Sequence, residues 1–384
     1  MNCHPDMGAQ GARAAGSAWR ELEDLAAQTA PAASLAWLGV ALAQSGLAGK
    51  PWLARVDDIN GKGPIALAGL RRSLRFAPLG RLATTRWGSF FFSGLPLLRK
   101  EREEEALHGL LWAAAGMGSI AAEFASVPVK GAFMDALTTL ARDKGFALRR
   151  MAQWERAVLD ARLSAQEWWE KDIPRKRRKE WSRLMRRLRE AGQVEFESRA
   201  SGDDLASWFE EFLTLEAQGW KGRAGTAVAC VPSLRQYVAQ VLRAHDASGH
   251  LRFWRLKLDG RVIAILFGTV HGDGLWLGKM AYAEDLGHYS PGVLLMIEAT
   301  RDILADPQIA WADSCADPNH PMIDHLWKQR LELADVLVSV PGVSLWRVRV
   351  VFFLEALRLR LRGALKRLWK GWRRGSGQAR KRAA

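Results

Sequence analysis

The chain has 384 residues, of which 48% are apolar and 25% charged, a composition that excludes a disordered protein and allows two ordinary domains. Its three cysteines lack the spacing of a zinc site and the even count of a disulfide framework, which indicates a reducing compartment. The net charge of +15 is concentrated in residues 345–384, where thirteen Lys and Arg stand against one Glu. The first residues lack the basic start and apolar run of a secretory signal, so we expect a cytoplasmic protein.

The first half contains two predicted strands followed by a predicted helix. WLARV (52–56) and PIALAGL (64–70) alternate and are separated by a turn-rich segment, which predicts a hairpin. FSGLPLL (92–98) then precedes EEEALHGLLWAAAG (103–116), whose composition is typical of a helix.

A basic segment, PRKRRKEWSRLMRRLREAG, lies between the two halves of the chain. Four apolar residues recur in it at helical spacing, which predicts a helix that packs one face on the protein. They are Trp181, Leu184, Met185 and Leu188. The outward charges are either a solvated face or a contact for a polyanion.

The second half begins with a predicted helix from Leu205 that carries a carboxylate on its apolar face. Glu216 lies one turn beyond Phe212 on that face, and it is either a structural ion pair or a general base in a site. Trp220 and Lys221 follow in a glycine-rich bend and are candidate substrate-binding residues.

The first half's order of elements then recurs. FWRLKL (253–258) and VIAILFGTV (262–270) flank Asp259-Gly260, a strong hairpin signal, and YSPGVLL (289–295) runs into a second predicted helix. We interpret the chain as a degenerate duplication, with chance similarity of two α/β segments as the alternative.

The Ser290-Pro291-Gly292 turn directly precedes this second helix. A helix start offers free N–H groups and a positive dipole end, so the turn is a candidate phosphate site. By itself the motif is weak evidence, because proline is common at a first helical turn. Lys279 can add charge there, and Tyr282 and Tyr289 can donate hydrogen bonds.

A last predicted strand, IAWADSC, places Trp311, Asp313 and Cys315 on one face, so Asp313 points with bulky neighbours. The loop beyond it carries further candidate substrate-binding residues, for which a hydrogen-bonded structural loop is the alternative. They are His320, Asp324 and His325. They lack the helical spacing of zinc enzymes, and we predict no metal.

Four stretches in order resemble one family: LEAQGWKGRAG, LDGRVIA, KMAYAEDLGHYSPGVLL and DSCADPNHPMIDHLW. The resemblance is to CelD/BcsL-like acyltransferases of the GNAT superfamily, which are related to the Fem peptidyltransferases. It covers roughly residues 205–330. It implies an α/β fold with a mixed sheet in two tandem GNAT-like domains.

The resemblance also implies the reaction, transfer of an acyl group from coenzyme A to an amine. Its donor-binding helix start matches six consecutive positions here. They are Tyr289, Ser290, Pro291, Gly292, Val293 and Leu294. The general superfamily pattern has two glycines after an Arg or Gln, and only Gly292 remains. The predicted base is Glu216 or Asp313, with Tyr282 or Tyr289 near the leaving group.

We predict a divergent N-terminal domain over 18–165, an acyltransferase domain over 166–340 that is entered by the basic helix 174–191, and a basic amphipathic tail over 341–384. In the tail six apolar residues share a helical face. They are Leu354, Leu357, Leu361, Leu365, Leu368 and Trp372. We expect residues 345–374 to contact an anionic membrane surface or a membrane protein, with intramolecular packing or nucleic acid as the alternatives.

The function predicted from these features is an acyl-CoA-dependent N-acyltransferase, with acyl-CoA or acetyl-CoA as co-substrate, that acts on an amine of an envelope or exopolysaccharide precursor at the inner membrane. One alternative is a Fem-like transferase that uses aminoacyl-tRNA. The other is a GNAT scaffold that binds a membrane complex without catalysis.

Overall fold

The computed structural model describes residues 16–382, apart from 45, 48, 78, 89–91 and 203, with side chains through residue 365. In this part of the chain twelve strands form one sheet. The strands are Trp52–Asp57 (β1), Pro64–Ser73 (β2), Arg81–Thr84 (β3), Leu97–Leu98 (β4), Ser119–Pro128 (β5), Leu148–Asp160 (β6), Val194–Arg199 (β7), Leu251–Leu258 (β8), Arg261–His271 (β9), Gly274–Tyr282 (β10), Trp311–Asp313 (β11) and Gln329–Ser339 (β12).

The α-helices pack on both faces of this sheet. They are Gly16–Asp24 (α1), Val40–Ala43 (α2), Glu103–Gly116 (α3), Ala132–Lys144 (α4), Ala165–Glu167 (α5), Arg175–Ala191 (α6), Leu205–Gln218 (α7), Trp220–Arg223 (α8), Pro232–Ala247 (α9), Pro291–Ala305 (α10), Ile323–Leu326 (α11) and Leu345–Arg382 (α12). Short 3-10 and π-helical turns occur at 31–33, 35–39, 168–172, 228–230 and 284–289. The predicted α/β class with a mixed sheet is confirmed.

The two halves of the chain repeat one order of elements. In the first, β1, β2 and β3 are antiparallel neighbours, and α3 connects β3 to the parallel strand β5. In the second, β8, β9 and β10 are antiparallel neighbours, and α10 connects β10 to the parallel strand β11. The predicted duplication therefore appears in the topology.

The halves exchange their last strands. The strand order is β1-β2-β3-β5-β12-β6-β11-β10-β9-β8-β7, so β12 lies between β5 and β6, and β6 pairs with β11. Each half thus completes its sheet with a strand from the other. The domain boundaries predicted from sequence remain a prediction, and β12, which falls within 166–340, pairs on both sides with strands of 18–165.

The Asp259-Gly260 turn shows why the second half folds as it does locally. Asp259 has a φ of 49° and Gly260 a φ of 77°, the left-handed pair that a tight hairpin between twisted strands needs. The hairpin fixes the register of β8 on β9 and thereby places β10 next to them.

One apolar core runs through both halves, and a smaller cluster lies under the start of α12. The second cluster consists of Leu82, Ile120, Ala121, Leu337, Val348, Val351 and Phe352. None of the helices in the described part of the chain combines the length and the apolar composition needed to span a membrane.

Candidate functional site

Strands β10 and β11 diverge in the second half of the sheet. They pair in parallel only where residues 274–276 face 311–313, whereas β10 continues to Tyr282. In the described chain this leaves residues 277–282 of β10 without a partner on the β11 side. A gap therefore opens between the two strands at their carboxyl ends, next to the start of α10.

The gap opens because the chain after β11 follows the neighbouring strand β6. The amide of Ser314 donates to the carbonyl of Ala157, 3.2 Å away. The amide of Cys315 turns back to Asp313 Oδ1 at 2.8 Å, and Cys315 has a φ of 50°, in the left-handed region. Burial raises the pKa of the Cys315 thiol well above its usual value, so this group stays protonated at neutral pH.

The start of α10 lies at the open end of this gap. Ser290 has a φ of 54° and contributes no side-chain cap, and Pro291 is the first helical residue. The amides of Val293 and Leu294 donate to the carbonyl of Ser290 at 2.9 and 3.2 Å. No side-chain acceptor therefore competes for the first turn of this 15-residue helix, in which Pro291, Gly292 and Leu294 are buried.

Gly292 lets the helix start come close to β10. A Cβ atom at this position would lie 3.2 Å from Met280 Sδ and 3.3 Å from a ring carbon of Tyr282. Any larger side chain must therefore displace those two residues. The closeness also shows that Met280 and Tyr282 face α10.

Arg187 of the basic helix α6 lies over the ring of Tyr289, with its guanidinium carbon 5.8 Å from the ring centre. Tyr289 directly precedes the Ser290 turn. The sequence predicts Lys279 as the cation near this turn, whereas the structure brings Arg187 beside it. The only sequence signal for Arg187 was its position in the basic segment.

Glu216 forms the centre of a buried polar cluster on α7. Its Oε1 accepts from Lys279 Nζ at 3.1 Å and from Lys221 Nζ at 3.3 Å. Its Oε2 accepts from the amide of Val228 at 2.7 Å. The residue is only 3% exposed, so these three bonds compensate the burial of its charge.

The side chains of Lys279 and Met280 point to opposite faces of the sheet. Lys279 contacts Glu216 on α7, while Met280 contacts the α10 side, and a bulge interrupts the pairing of β10 with β9 between Leu277 and Met280. Burial lowers the pKa of Lys279, and the negative charge of Glu216 partly opposes this shift. The carboxylate on one face and the helix start on the other thus lie at the same end of β10.

A small cavity of about 30 Å³ adjoins the carboxylate, a size suited to one or two waters or a small reacting group. It is lined by Leu215, Glu216, Gly219, Trp220, Lys221, Met280, Ala281, Tyr282 and Glu284. Tyr282 is 42% exposed and Trp220 57% exposed, so both rings stand at the entrance. The structure therefore brings together four of the predicted catalytic and binding residues, together with Lys279.

Asp313 belongs to a second polar pair. Its Oδ2 accepts from Arg156 Nη1 at 3.1 Å, and the same Nη1 also donates to the carbonyl of Phe92. Both side chains are almost fully buried. They line a cavity of about 510 Å³ whose wall includes the perpendicular rings of Trp276 and Trp311, 4.8 Å apart.

Asp313 faces the same side of the sheet as Glu216. Phe267 packs against Phe212 of α7, and Thr269 follows Phe267 on the same face of β9. Thr269 is paired with Trp276, which is paired with Asp313, and paired residues share a face. Both candidate bases therefore lie on the α7 side of the sheet.

The three polar residues of the last loop make local contacts at α11. His320 Nδ1 accepts from the amides of Met322 and Ile323, which brings the chain into the helix. Asp324 Oδ1 lies 3.9 Å from Arg330, and burial lowers the pKa of His325. These contacts lie within the loop, α11 and the start of β12, and a role in substrate binding stays a prediction. Among the described residues no group of three or more His, Cys, Asp or Glu could hold a metal ion.

Residues 175–320 match the model of a family described as an acetyltransferase (GNAT) domain. The matched range contains both the Glu216 cluster and the Ser290 turn. Comparison with curated proteins gives no match.

Solved structures with the same fold cover nearly the whole chain. FemX superposes with a TM-score of 0.57 at 10% identity, over 91% of this chain and 99% of that one. The C-terminal domain of a putative lysylphosphatidylglycerol synthetase from Agrobacterium fabrum gives 0.55 at 12%, over 89% and 96%. L-PGS from Bacillus licheniformis gives 0.53 at 12%, over 88% and 95%. At these identities the likeness shows the fold, and the chain carries a GNAT-type acyltransferase fold.

Proposed function

We propose that the protein transfers an acyl group from acyl-CoA to an amine, in the manner of the CelD/BcsL-like acyltransferases. The observation that carries this proposal is the gap between β10 and β11. It connects the start of α10, on one face of the sheet, with the buried carboxylate of Glu216 on the other. A thioester held at the helix start can therefore reach an amine that is held on the α7 side.

The donor's pyrophosphate would bind at the first turn of α10. The positive end of the helix dipole favours negative charge there, and Arg187 adds a cation within reach of the same turn. Gly292 supports the assignment because it lets the backbone of this turn lie close to β10.

The chemical step needs a base, an oxyanion site and a proton for the leaving group. The acceptor nitrogen attacks the thioester carbonyl and gives a proton to Glu216, a C–N bond forms, and the C–S bond then breaks. The departing thiolate takes a proton from the Tyr282 phenol or from water. Asp313 is the second candidate base, on the same face.

Lys279 and Lys221 would act as positioning residues for Glu216. Both ammonium groups bond to its Oε1 and the amide of Val228 bonds to its Oε2, so the adjoining cavity is the side from which an amine would approach. Removal of either lysine should therefore lower turnover through Glu216, with less effect on donor binding.

The acceptor we propose is an amine on an envelope or exopolysaccharide precursor, a finer assignment that follows the family resemblance. The cavity beside Asp313 is of a size for a sugar-sized group, and its wall includes Trp276 and Trp311, whose indole rings are the kind of apolar surface that sugar rings pack against.

The first test is isothermal titration of the full chain with acetyl-CoA, longer acyl-CoAs and free CoA. Gly292→Trp should weaken binding at least tenfold, because the ring must displace Met280 and Tyr282 at the helix start. Gly287→Ala is the matched control, since a Cβ there meets nothing within 4 Å. If both variants bind the donor with equal affinity, the donor does not bind at this turn.

The second test is thiol release from acyl-CoA in the presence of a panel of amines. Glu216→Gln should reduce turnover by 10²-fold or more if it is the base, as general-base catalysis typically contributes. Glu210→Gln, an exposed residue on the same helix that pairs with Arg235, is the control. Full turnover in both Glu216→Gln and Asp313→Asn would exclude the assignment of either base.

A Fem-like transfer from aminoacyl-tRNA is the second candidate. The superposition on FemX and the exposed arginines of α6 beside Tyr289 favour it. Binding of aminoacyl-tRNA without binding of any acyl-CoA would select this reaction. Binding of CoA without turnover on any amine would instead favour a non-catalytic scaffold.

A further inference from the structure

The first turns of α12 are anchored to the body of the protein. Val348, Val351 and Phe352 are at most 4% exposed and pack under the sheet with Leu82 and Ile120. This docked face fixes how the helix is rotated about its own axis.

A buried carboxylate strengthens the same contact. Glu355 Oε1 accepts from Arg75 Nη1 at 2.8 Å, and Glu355 Oε2 accepts from Arg358 Nε at 2.7 Å. Arg347 Nη2 also donates to the carbonyl of Leu79 at 2.8 Å. These contacts hold the first turns of the helix, up to Arg358, against the body and define the orientation of their outer face.

The opposite face of α12 is an exposed apolar stripe. Its members recur every three or four residues, so they lie on one side of the helix, away from the docked face. They are Trp346 (64% exposed), Val350 (36%), Phe353 (62%), Leu357 (42%), Leu361 (57%) and Leu365 (66%). At 1.5 Å per residue the stripe is about 30 Å long, too large to be scattered surface apolar residues.

Basic residues flank the stripe on both sides. Arg349 and Arg360 are exposed along one flank, and Arg347 and Arg358 lie along the other. The single acidic residue of 345–384, Glu355, faces the body and is paired with arginines. The outer face of the helix is therefore apolar along its centre and positive at its edges.

We infer that this stripe docks the protein on a bilayer surface that contains anionic lipid headgroups. The apolar side chains at its centre can contact the acyl chains, and the arginines at its edges can pair with headgroup phosphates. Helices that lie in the interface plane have this arrangement. A second copy of the chain would bring two strongly positive tails together, and that repulsion opposes self-association through the stripe. Nucleic acid would leave Leu357, Leu361 and Leu365 without an apolar partner. The inference does not depend on acyl transfer.

The test is co-sedimentation of the full chain with vesicles of phosphatidylcholine alone and of phosphatidylcholine with one third phosphatidylglycerol. The double variant Phe353→Ser, Leu361→Ser should lower the partition coefficient on anionic vesicles at least tenfold. Its matched control is Ile59→Ser, Trp112→Ser, since these two residues are 73% and 46% exposed elsewhere on the body. Both pairs leave the charge unchanged.

A charge variant separates docking by the helix from a general attraction of a basic protein. Arg349→Glu, Arg360→Glu should reduce binding to anionic vesicles to the level seen with phosphatidylcholine, and added salt should do the same to the unaltered protein. Arg142→Glu, Lys144→Glu on α4 changes the net charge equally at two other exposed residues and should bind almost as before.

Three results would overturn the inference. The first is absence of binding to either vesicle by the unaltered protein. The second is equal binding by the stripe variant and its control. The third is a concentration-dependent dimer, measured by sedimentation equilibrium, that the stripe variant abolishes while no variant affects vesicle binding. Circular dichroism and melting temperature of each variant exclude unfolding as the cause.

Discussion

Lys279 Nζ lies 3.1 Å from Glu216 Oε1, although the two residues are 63 positions apart in the chain. The contact ties α7 to β10 at the point where β10 leaves β11. It places an ammonium that burial destabilises next to the carboxylate that stabilises it. The ionisation of Lys279 therefore reports on the charge of Glu216.

Glu216→Gln should make Lys279 more reactive toward acylating reagents near pH 8. Burial already lowers the pKa of this amine, and loss of the neighbouring negative charge lowers it further, so a larger fraction is neutral. Competitive labelling with acetic anhydride, followed by mass spectrometry across a pH series, measures the shift. Glu210→Gln should leave the profile of Lys279 unchanged, and an unchanged profile in Glu216→Gln would mean that the two groups are not coupled.

Asp313→Asn should destabilise the fold by about 3 kcal/mol, because it leaves Arg156 buried and without its counter-charge. Asp160→Asn breaks an ion pair with Arg162 at the end of the same strand, and solvent screening of the exposed Arg162 makes the expected loss much smaller. Urea unfolding at neutral pH compares the two. Similar losses in both variants would show that Arg156 is compensated by other groups.

Local features of the second half could be predicted from the sequence. The Asp259-Gly260 hairpin, the strand ending at Tyr282 and the helix from Pro291 follow from turn chemistry and alternation, which act over a few residues. The burial of Glu216 followed from its place on the apolar face of α7. These signals need no knowledge of distant parts of the chain.

The partners of the site residues could not be predicted in this way. Arg156 reaches Asp313 across 157 positions, and Arg187 reaches Tyr289 from another helix. The first contact depends on which strands exchange between the halves, and the second on how α6 packs beside residues 284–289; no local pattern specifies either. Closeness in sequence predicts Lys279 as the cation of the Ser290 turn, whereas in the structure Lys279 bonds to Glu216 and Arg187 lies over Tyr289.

Glu23 should make stability depend on pH between about 4.5 and 7. Burial raises the pKa of this carboxyl to about 7, so the folded state binds its proton more tightly than the unfolded state does. The contribution is fully present below the unfolded pKa of 4.5 and is lost as pH rises through 7. Glu23→Gln should therefore make the free energy of unfolding depend less on pH in this window. The change in that free energy across the window should shrink by roughly 2 kcal/mol, a value already reduced for solvent screening.

Thermal or urea unfolding at pH 5 and pH 7 checks this dependence. Gln retains an oxygen to accept from the amide of Leu35, so the hydrogen bond is kept while the titration is removed. Glu21→Gln on the exposed side of the same helix is the control and should keep the slope of the unaltered protein. If the free energy of unfolding of Glu23→Gln still falls from pH 5 to pH 7 as in the unaltered protein, other groups cause the pH dependence.

Truncation should show that β12 holds the two halves together. A chain ending at residue 365 keeps β12 and the docked turns of α12, and we expect it to fold as the full chain does. A chain ending at 343 loses the cover over Leu82 and Ile120 and should remain folded with a lower melting temperature. A chain ending at 328 should not fold, because β5 and β6 would each lose a ladder of backbone hydrogen bonds at the centre of the sheet.

Calorimetry and near-ultraviolet circular dichroism of the three chains measure this order. If the halves were independent, the chain ending at 328 would keep a cooperative transition from residues 166–328. Its absence is expected, since β11 of that half also pairs with β6 of the other, and β6 would lack its partner on the opposite side. If the chain ending at 328 keeps a cooperative transition, residues 166–328 fold on their own. The exchanged strands would then only hold the two folded halves together.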